Sequence, residues 1–210
     1  MSSFNSSRFC VLHAIRVKGL ASSEVITMLA GLTPNDVARE LAALAQDNLV
    51  QYRQGRLTGY MLTPAGQQVH ISLLAVNVQA PSTQAALNKA YEEFLLLNGE
   101  FKQICTNWQV QESTGMPNDH SNDAYDRVIL ERLADTHKRI EEIVLTPLTA
   151  VLDRFGLYVP RLVGALERIR SGDTAAFARP MANSYHDIWM ELHQDLLLSL
   201  QRKRSARDEA

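Results

Sequence analysis

Residues 32–66, LTPNDVARELAALAQDNLVQYRQGRLTGYMLTPAG, constrain the fold of this chain more than any other stretch. Thr33 is a helix-capping residue, Pro34 suits the first turn, and Asp36 stands three residues after the cap, a variant of the capping box. At about 100° per residue, Val37, Leu41 and Leu44 share one face and must pack inward, beside Ala38 and Ala45. Asn35, Arg39, Ala42, Ala43 and Gln46 lie opposite them. Asn48 takes the left-handed closing position. Leu49-Val50-Gln51-Tyr52 and Tyr60-Met61-Leu62 then alternate as two short strands around the basic turn at 53–59. A capped amphipathic helix followed at once by a short hairpin is compatible with few architectures.

The flanking segments narrow it further. One helix is expected over 6–18, capped by Ser6 or Ser7 and stopped by Gly19. A second runs from Ser22/Ser23 to Gly31, and a fourth opens at Thr63-Pro-Ala-Gly66 and reaches about Val78. Ala80-Pro81-Ser82-Thr83 is the domain boundary, giving domains 1–80 and 81–210. Beyond it the pattern is purely helical. Leu87, Tyr91, Phe94, Asn98, Phe101, Cys105 and Trp108 recur at spacings of four and three. After the polar loop at 113–121, Ile129, Leu133, His137, Ile140 and Val144 form the face of a second long helix, which Pro147 kinks or divides. Leu162, Leu166 and Ile169 mark a further apolar segment beyond Gly156. A last helix is expected over 183–203, with Tyr185, Trp189, Leu192, Leu196 and Leu200 inward, followed by a charged, frayed tail over 201–210. The expected fold is mainly α: an N-terminal winged helix-turn-helix with a small β-wing, followed by an all-α helical bundle.

Composition limits the functional classes. The 210 residues are 46% hydrophobic and 21% charged, which suffices for real cores. No apolar run spans a bilayer, and the N-terminus has no secretory pattern, so no membrane partner and a cytoplasmic location are expected. Cys10 and Cys105 lie in apolar helical patterns outside any CxxC pair and read as buried thiols. Net charge is −2, but residues 1–78 carry six Lys/Arg against four acids, and the remainder 15 against 19. A weakly basic head on an acidic body fits a modest DNA-binding module joined to something else.

On the third helix, Arg39 is the residue type that forks onto guanine, and Asn35 and Gln46 those that pair with adenine. Asp36 and Glu40 fall to the side of that stripe. Arg53 and Arg56 in the turn, Arg16 and Lys18 at the end of the first helix, and the helix start at Thr33 would grip phosphate. With about four cationic contacts, one copy holds DNA poorly at physiological salt, so two copies, a homodimer, are required. The same fold with its acids would also serve a protein contact.

Residues 6–77, with Val37-Ala-Arg-Glu-Leu41, Asn48-Leu-Val50 and Tyr60-Met-Leu-Thr-Pro-Ala-Gly66, resemble the winged helix-turn-helix of MarR-type and PadR-type transcriptional regulators. The resemblance implies DNA binding, and dimerisation through helices outside the winged helix. The long C-terminal region departs from the short extra helices of MarR proteins. Within it, Tyr91-Glu-Glu-Phe-Leu-Leu-Leu-Asn-Gly-Glu-Phe-Lys102, Pro117-Asn-Asp-His-Ser121 and residues 184–196 resemble segments of actinobacterial proteins. Those segments follow a similar winged helix and occur with pyruvate phosphate dikinase-like, phosphoenolpyruvate-using enzymes. That resemblance implies regulation of, or contact with, such an enzyme, and no catalysis by this chain.

Two further constellations carry chemistry. Tyr91, Asn98, Trp108, Tyr185 and Trp189 are candidates to line a small-molecule effector pocket, although an aromatic stripe is more often simple core. A buried Asn98 needs partners, so it sets helix register or meets a ligand. His137, with Glu141 one turn on, and His186 and His193, two turns apart, are donor types for a divalent metal, as in the helical effector domains of FadR-type GntR regulators. The N-terminal region lacks that family's usual start and the histidines share no compact motif, so hydrogen-bonded core histidines are the ordinary reading and no cofactor is expected. Asp119, His120, Ser121, Asn122, Asp123 and Asp126 cluster before a helix, where loop closure and N-capping are expected and a ligand role is the minority reading. No GxSxG, P-loop, dinucleotide glycine fingerprint or HExxH occurs, and no nucleophile has a credible base, so the chain does not read as an enzyme.

Overall fold

Four hydroxyl side chains mark where the first four helices begin. In the computed structural model, which describes residues 6–205 and Asp208, Ser6 caps α1 (Ser7–Lys18) and Ser22 caps α2 (Ser23–Ala30). Thr33 caps α3 (Pro34–Gln46) and Thr63 caps α4 (Pro64–Asn77). Each oxygen accepts an amide N–H that the helix itself cannot satisfy. Gly31 closes α2 and Asn48 follows α3, both in the left-handed region at φ 63° and 56°. The described residues are mainly helical, with one antiparallel pair of strands, β1 (Val50–Arg53) and β2 (Gly59–Leu62), in the register Val50–Leu62 to Arg53–Gly59. No helix among them is long and apolar enough to cross a membrane.

The chain divides into two compact units, Met1–Gln84 and Ala85–Ala210. In the first, Leu12 and Ile15 of α1, Ile26 of α2, and Val37, Leu41 and Leu44 of α3 bury against Leu49, Val50 and Leu62 of the hairpin. Ala38 and Ala45, expected beside that face, are instead exposed, so the buried stripe of α3 is narrower than its apolar composition. Ala21 exchanges two backbone hydrogen bonds with Tyr60 and adds one rung to the hairpin. Where that rung and α4 press on the strands, only glycine fits. A Cβ on Gly59 would lie 2.7 Å from the Ala21 carbonyl oxygen, and one on Gly66 would lie 1.9 Å from that of Leu49.

In the second unit, α5 (Pro81–Gln109) buries Leu87, Tyr91, Phe94, Asn98, Phe101 and Trp108 as the spacing predicts. Leu97, Ile104 and Asn107 are buried too, so the stripe is wider than a two-helix seam. The next helix, α6 (Asp123–Arg139), passes into a π-helical stretch, Ile140–Leu145, and then α7 (Thr146–Thr149). Pro147 accounts for the irregularity, since it has no N–H to donate and its ring crowds the carbonyl of Ile143 within the π stretch. A 3₁₀ turn, Asp153–Leu157, leads into α8 (Tyr158–Arg170), and α9 (Ala175–Ala178) precedes α10 (Tyr185–Ser199). Ser184 and Asp187 form a reciprocal capping box, so α10 starts two residues later than expected and ends four earlier. It is the innermost helix of the unit. Tyr185, Ile188, Trp189, Leu192 and Leu196 are fully buried, and Trp189 meets the rings of Phe94 and Phe101 at 5.2 and 4.3 Å.

Gly66→Ala is expected to destabilise the first unit by about 2–4 kcal/mol, because backbone cannot yield as a flexible side chain would. Urea denaturation followed by circular dichroism reads that loss. Ala42→Ser on the exposed face of α3 is the matched control and should change stability by less than about 0.5 kcal/mol.

Candidate nucleic-acid interface and polar pocket

The outer face of α3 is set by its inner one. With Val37, Leu41 and Leu44 buried, Asn35, Arg39, Ala42 and Gln46 are turned to solvent. Arg39 is not free on that face: its guanidinium lies 2.7 Å from Asp36, which Thr33 also engages, and both interactions hold the Asp36 carboxyl below its usual range, the Thr33 hydrogen bond most. Asp36 is therefore a partner of the candidate base reader, not a bystander to its side. Arg53 and Arg56 are exposed on the hairpin, near the aromatic pair Tyr52–Tyr60 at 4.9 Å. Arg16 and Lys18 are half-buried, so they present less charge than the hairpin arginines. Thr33 is exposed at the start of α3.

The five proposed pocket residues do not line one cavity. Trp108 stacks on Phe177 at 4.4 Å, lies against His120, and borders a cavity of about 440 Å³. Tyr185 hydrogen-bonds His137 at 3.2 Å inside the core. Asn98 borders a separate cavity of about 680 Å³, whose walls include Phe101, Lys102, Cys105, His186, Met190 and His193. Trp189 donates its indole N–H to the Asn98 carbonyl oxygen at 3.0 Å, which turns the Asn98 amide nitrogen towards the backbone oxygen of Asp208 at 3.1 Å.

Asp208 overturns the expectation of a frayed tail. Its side chain is completely buried, with Tyr91 Oη at 2.6 Å and His193 Nε2 at 2.8 Å from Oδ1, and Ser205 N and Oγ at 2.7 and 2.8 Å from Oδ2. Burial alone would raise its carboxyl. The hydrogen bonds, Tyr91's foremost, prevail and hold it well below the usual carboxylate range. Burial and this contact push the Tyr91 hydroxyl up to about 12. Arg204 approaches His193 Nδ1 at 3.3 Å, and arginine only donates, so His193 is neutral with its proton on Nε2, directed at Asp208. The expectation for Ala206, Arg207, Glu209 and Ala210 lies outside the described residues.

A second polar network was not foreseen. On another side of α10, Glu191 pairs with Arg161 at 2.6 Å and Asp195 with Arg154 at 3.4 Å, all four side chains less than a tenth exposed. Ser199 bonds both Arg154 and Asp195, and Tyr158 bonds Asp195. Their spacing at 191, 195 and 199 is one residue per turn, a signal that reads equally well as a solvated face.

The described residues contain no group of three or more His, Cys, Asp or Glu that could hold a metal ion. His137, His186 and His193 are held below the ordinary imidazole value, in each case mainly by burial. In the loop, Asn122 caps α6, while Asp126 holds His120 at 2.9 Å and Asn118 at 2.8 Å, which is the closure expected there. Cys10 and Cys105 are half-buried and not fully enclosed, and burial pushes the Cys105 thiol up to about 12, away from nucleophilic use. Comparison with known proteins brings no match: no family model, curated protein or solved structure is significantly similar to the chain.

Two outcomes follow from these environments. Glu191→Ala strands a buried guanidinium and should destabilise the second unit by about 3–5 kcal/mol, while adding Arg161→Leu should restore part of it. Chemical denaturation of the two variants reads the difference. For the three histidines, the unfolded chain takes up protons as pH falls through about 6.5, before the folded one does. Their contribution is therefore complete above that value and lost as pH drops below it. Denaturation midpoints from about pH 8 to about pH 5 should fall, and His137→Phe should flatten the slope.

Proposed function

We propose that the chain is a DNA-binding transcriptional regulator, its first unit a winged helix-turn-helix with α3 as the reading helix and the hairpin as the wing. One observation carries this reading: Asn35, Arg39 and Gln46 lie exposed along one helix face, with Arg53 and Arg56 exposed on the adjoining hairpin. Arginine forks onto guanine, the amides pair with adenine, and Ala42 leaves room for close approach. Arg39 exchanges its Asp36 contact for the base, a small loss, because solvent-exposed ion pairs contribute little. Few cations per copy imply a homodimer that doubles the phosphate contacts. An effector bound in the helical unit would act by differential affinity for two states of that dimer.

The Asp36–Arg39 pair favours a second reading, in which this face meets a protein, such as a phosphoenolpyruvate-using enzyme, rather than DNA. Selection of bound duplexes from a random pool separates the two. A recovered consensus supports the regulator. Binding no stronger than to random duplex at every salt concentration, with copurification of such an enzyme, supports the protein contact. Against a recovered site, Arg39→Ala should cost about 1–3 kcal/mol and relax preference at one position, and Arg56→Ala should weaken all sequences alike and flatten the salt slope.

A further inference from the structure

Four donors around Asp208 stand on two helices, and Ser205 adds two more, N and Oγ, from Asp208's own segment. Tyr91, Asn98 and Lys102 stand on α5, and His193 stands on α10. Trp189 aims the Asn98 amide, and Arg204 sets the His193 tautomer. Two acceptors are recognised, not one. The carboxylate takes Tyr91 and His193, while the backbone carbonyl takes Asn98 and the Lys102 ammonium, each at 3.1 Å. In aspartate these acceptors are joined as carboxylate, CH₂, CH and C=O, the four-carbon skeleton of a succinyl unit. The carbonyl is neutral, yet a cation faces it, and a second carboxylate there would make that contact charge-assisted. Asn98, Lys102 and His193 border the cavity of about 680 Å³, as does Asp208 itself, so a small molecule has a route to them.

We propose that the helical unit carries a binding site for a C4 dicarboxylate of succinate type, and that Asp208 occupies this site in cis. One carboxylate of the ligand takes the place of the Asp208 side chain on Tyr91 and His193. The other takes the place of its backbone oxygen on Asn98 and Lys102, and Asp208 is displaced from the site. Intramolecular occupancy competes at a high effective concentration, so the full chain shows only the affinity left after its own segment is displaced. The proposal stands independently of whether the first unit binds DNA.

Calorimetric titration with succinate tests it on three proteins: the full chain, the chain stopped after Ser205, and full-length Asp208→Asn, which alters no other residue. Succinate should bind the two altered proteins about tenfold or more tighter than the full chain. Butanoate, lacking the second carboxylate, should bind them more weakly, and succinamide should not bind. Lys102→Met in the Asp208→Asn background should reduce succinate to the level of butanoate. Equal succinate affinity in all three proteins, succinamide binding as tightly as succinate, or no saturable binding to either altered protein overturns the proposal.

Discussion

A helix enclosed on every side must have each of its charges answered from elsewhere, and in the second unit that demand falls on α10. Glu191 and Asp195 are far from water, so each requires a cation or donors at contact distance. Arg161 and Arg154 meet that need from α8 and from the turn before it, with Tyr158 and Ser199 occupying the remaining lone pairs. A shift of α10 by one turn would part these pairs and leave buried charges alone, so polar contacts oppose it together with the aromatic stack of Phe94, Phe101 and Trp189.

The first unit follows a simpler logic. Its buried side chains are mostly apolar, with His13 of α1 and His70 of α4 as a buried polar pair 2.9 Å apart, stacked with Phe9. The resulting surface of α3 is mixed in sign, with Arg39 answered locally by Asp36. A face of mixed sign exerts little long-range attraction on a polyanion.

Helix starts were legible in the sequence because capping is local: Ser6, Ser22, Thr33 and Thr63 each accept an amide N–H three residues on. The hairpin and the buried face of α3 were legible through periodicity. Exposed Ala38 and Ala45 were not, since alanine is equally at home on either side of a helix. The ring of donors around Asp208 was invisible for another reason. It joins residues more than 100 positions apart, and a charged segment after a helix ordinarily signals solvent. Asn98 was recognised as a residue needing partners, but not which partners. The residues expected to line one pocket were scattered because an aromatic stripe records burial, and burial alone does not distinguish one cavity from another.

The close fit of Gly66 on Leu49 has a mechanical consequence. Thr63 bonds backward to both Asn48 and Leu49, so the open end of the hairpin is bolted to the start of α4 and the end of α3. Arg53, paired with Gly59, forms the ladder's last rung at the far end from that junction, while Arg56 lies in the turn outside the ladder. The two arginines thus differ in how their backbone is held, one by a ladder rung and the other by the turn alone.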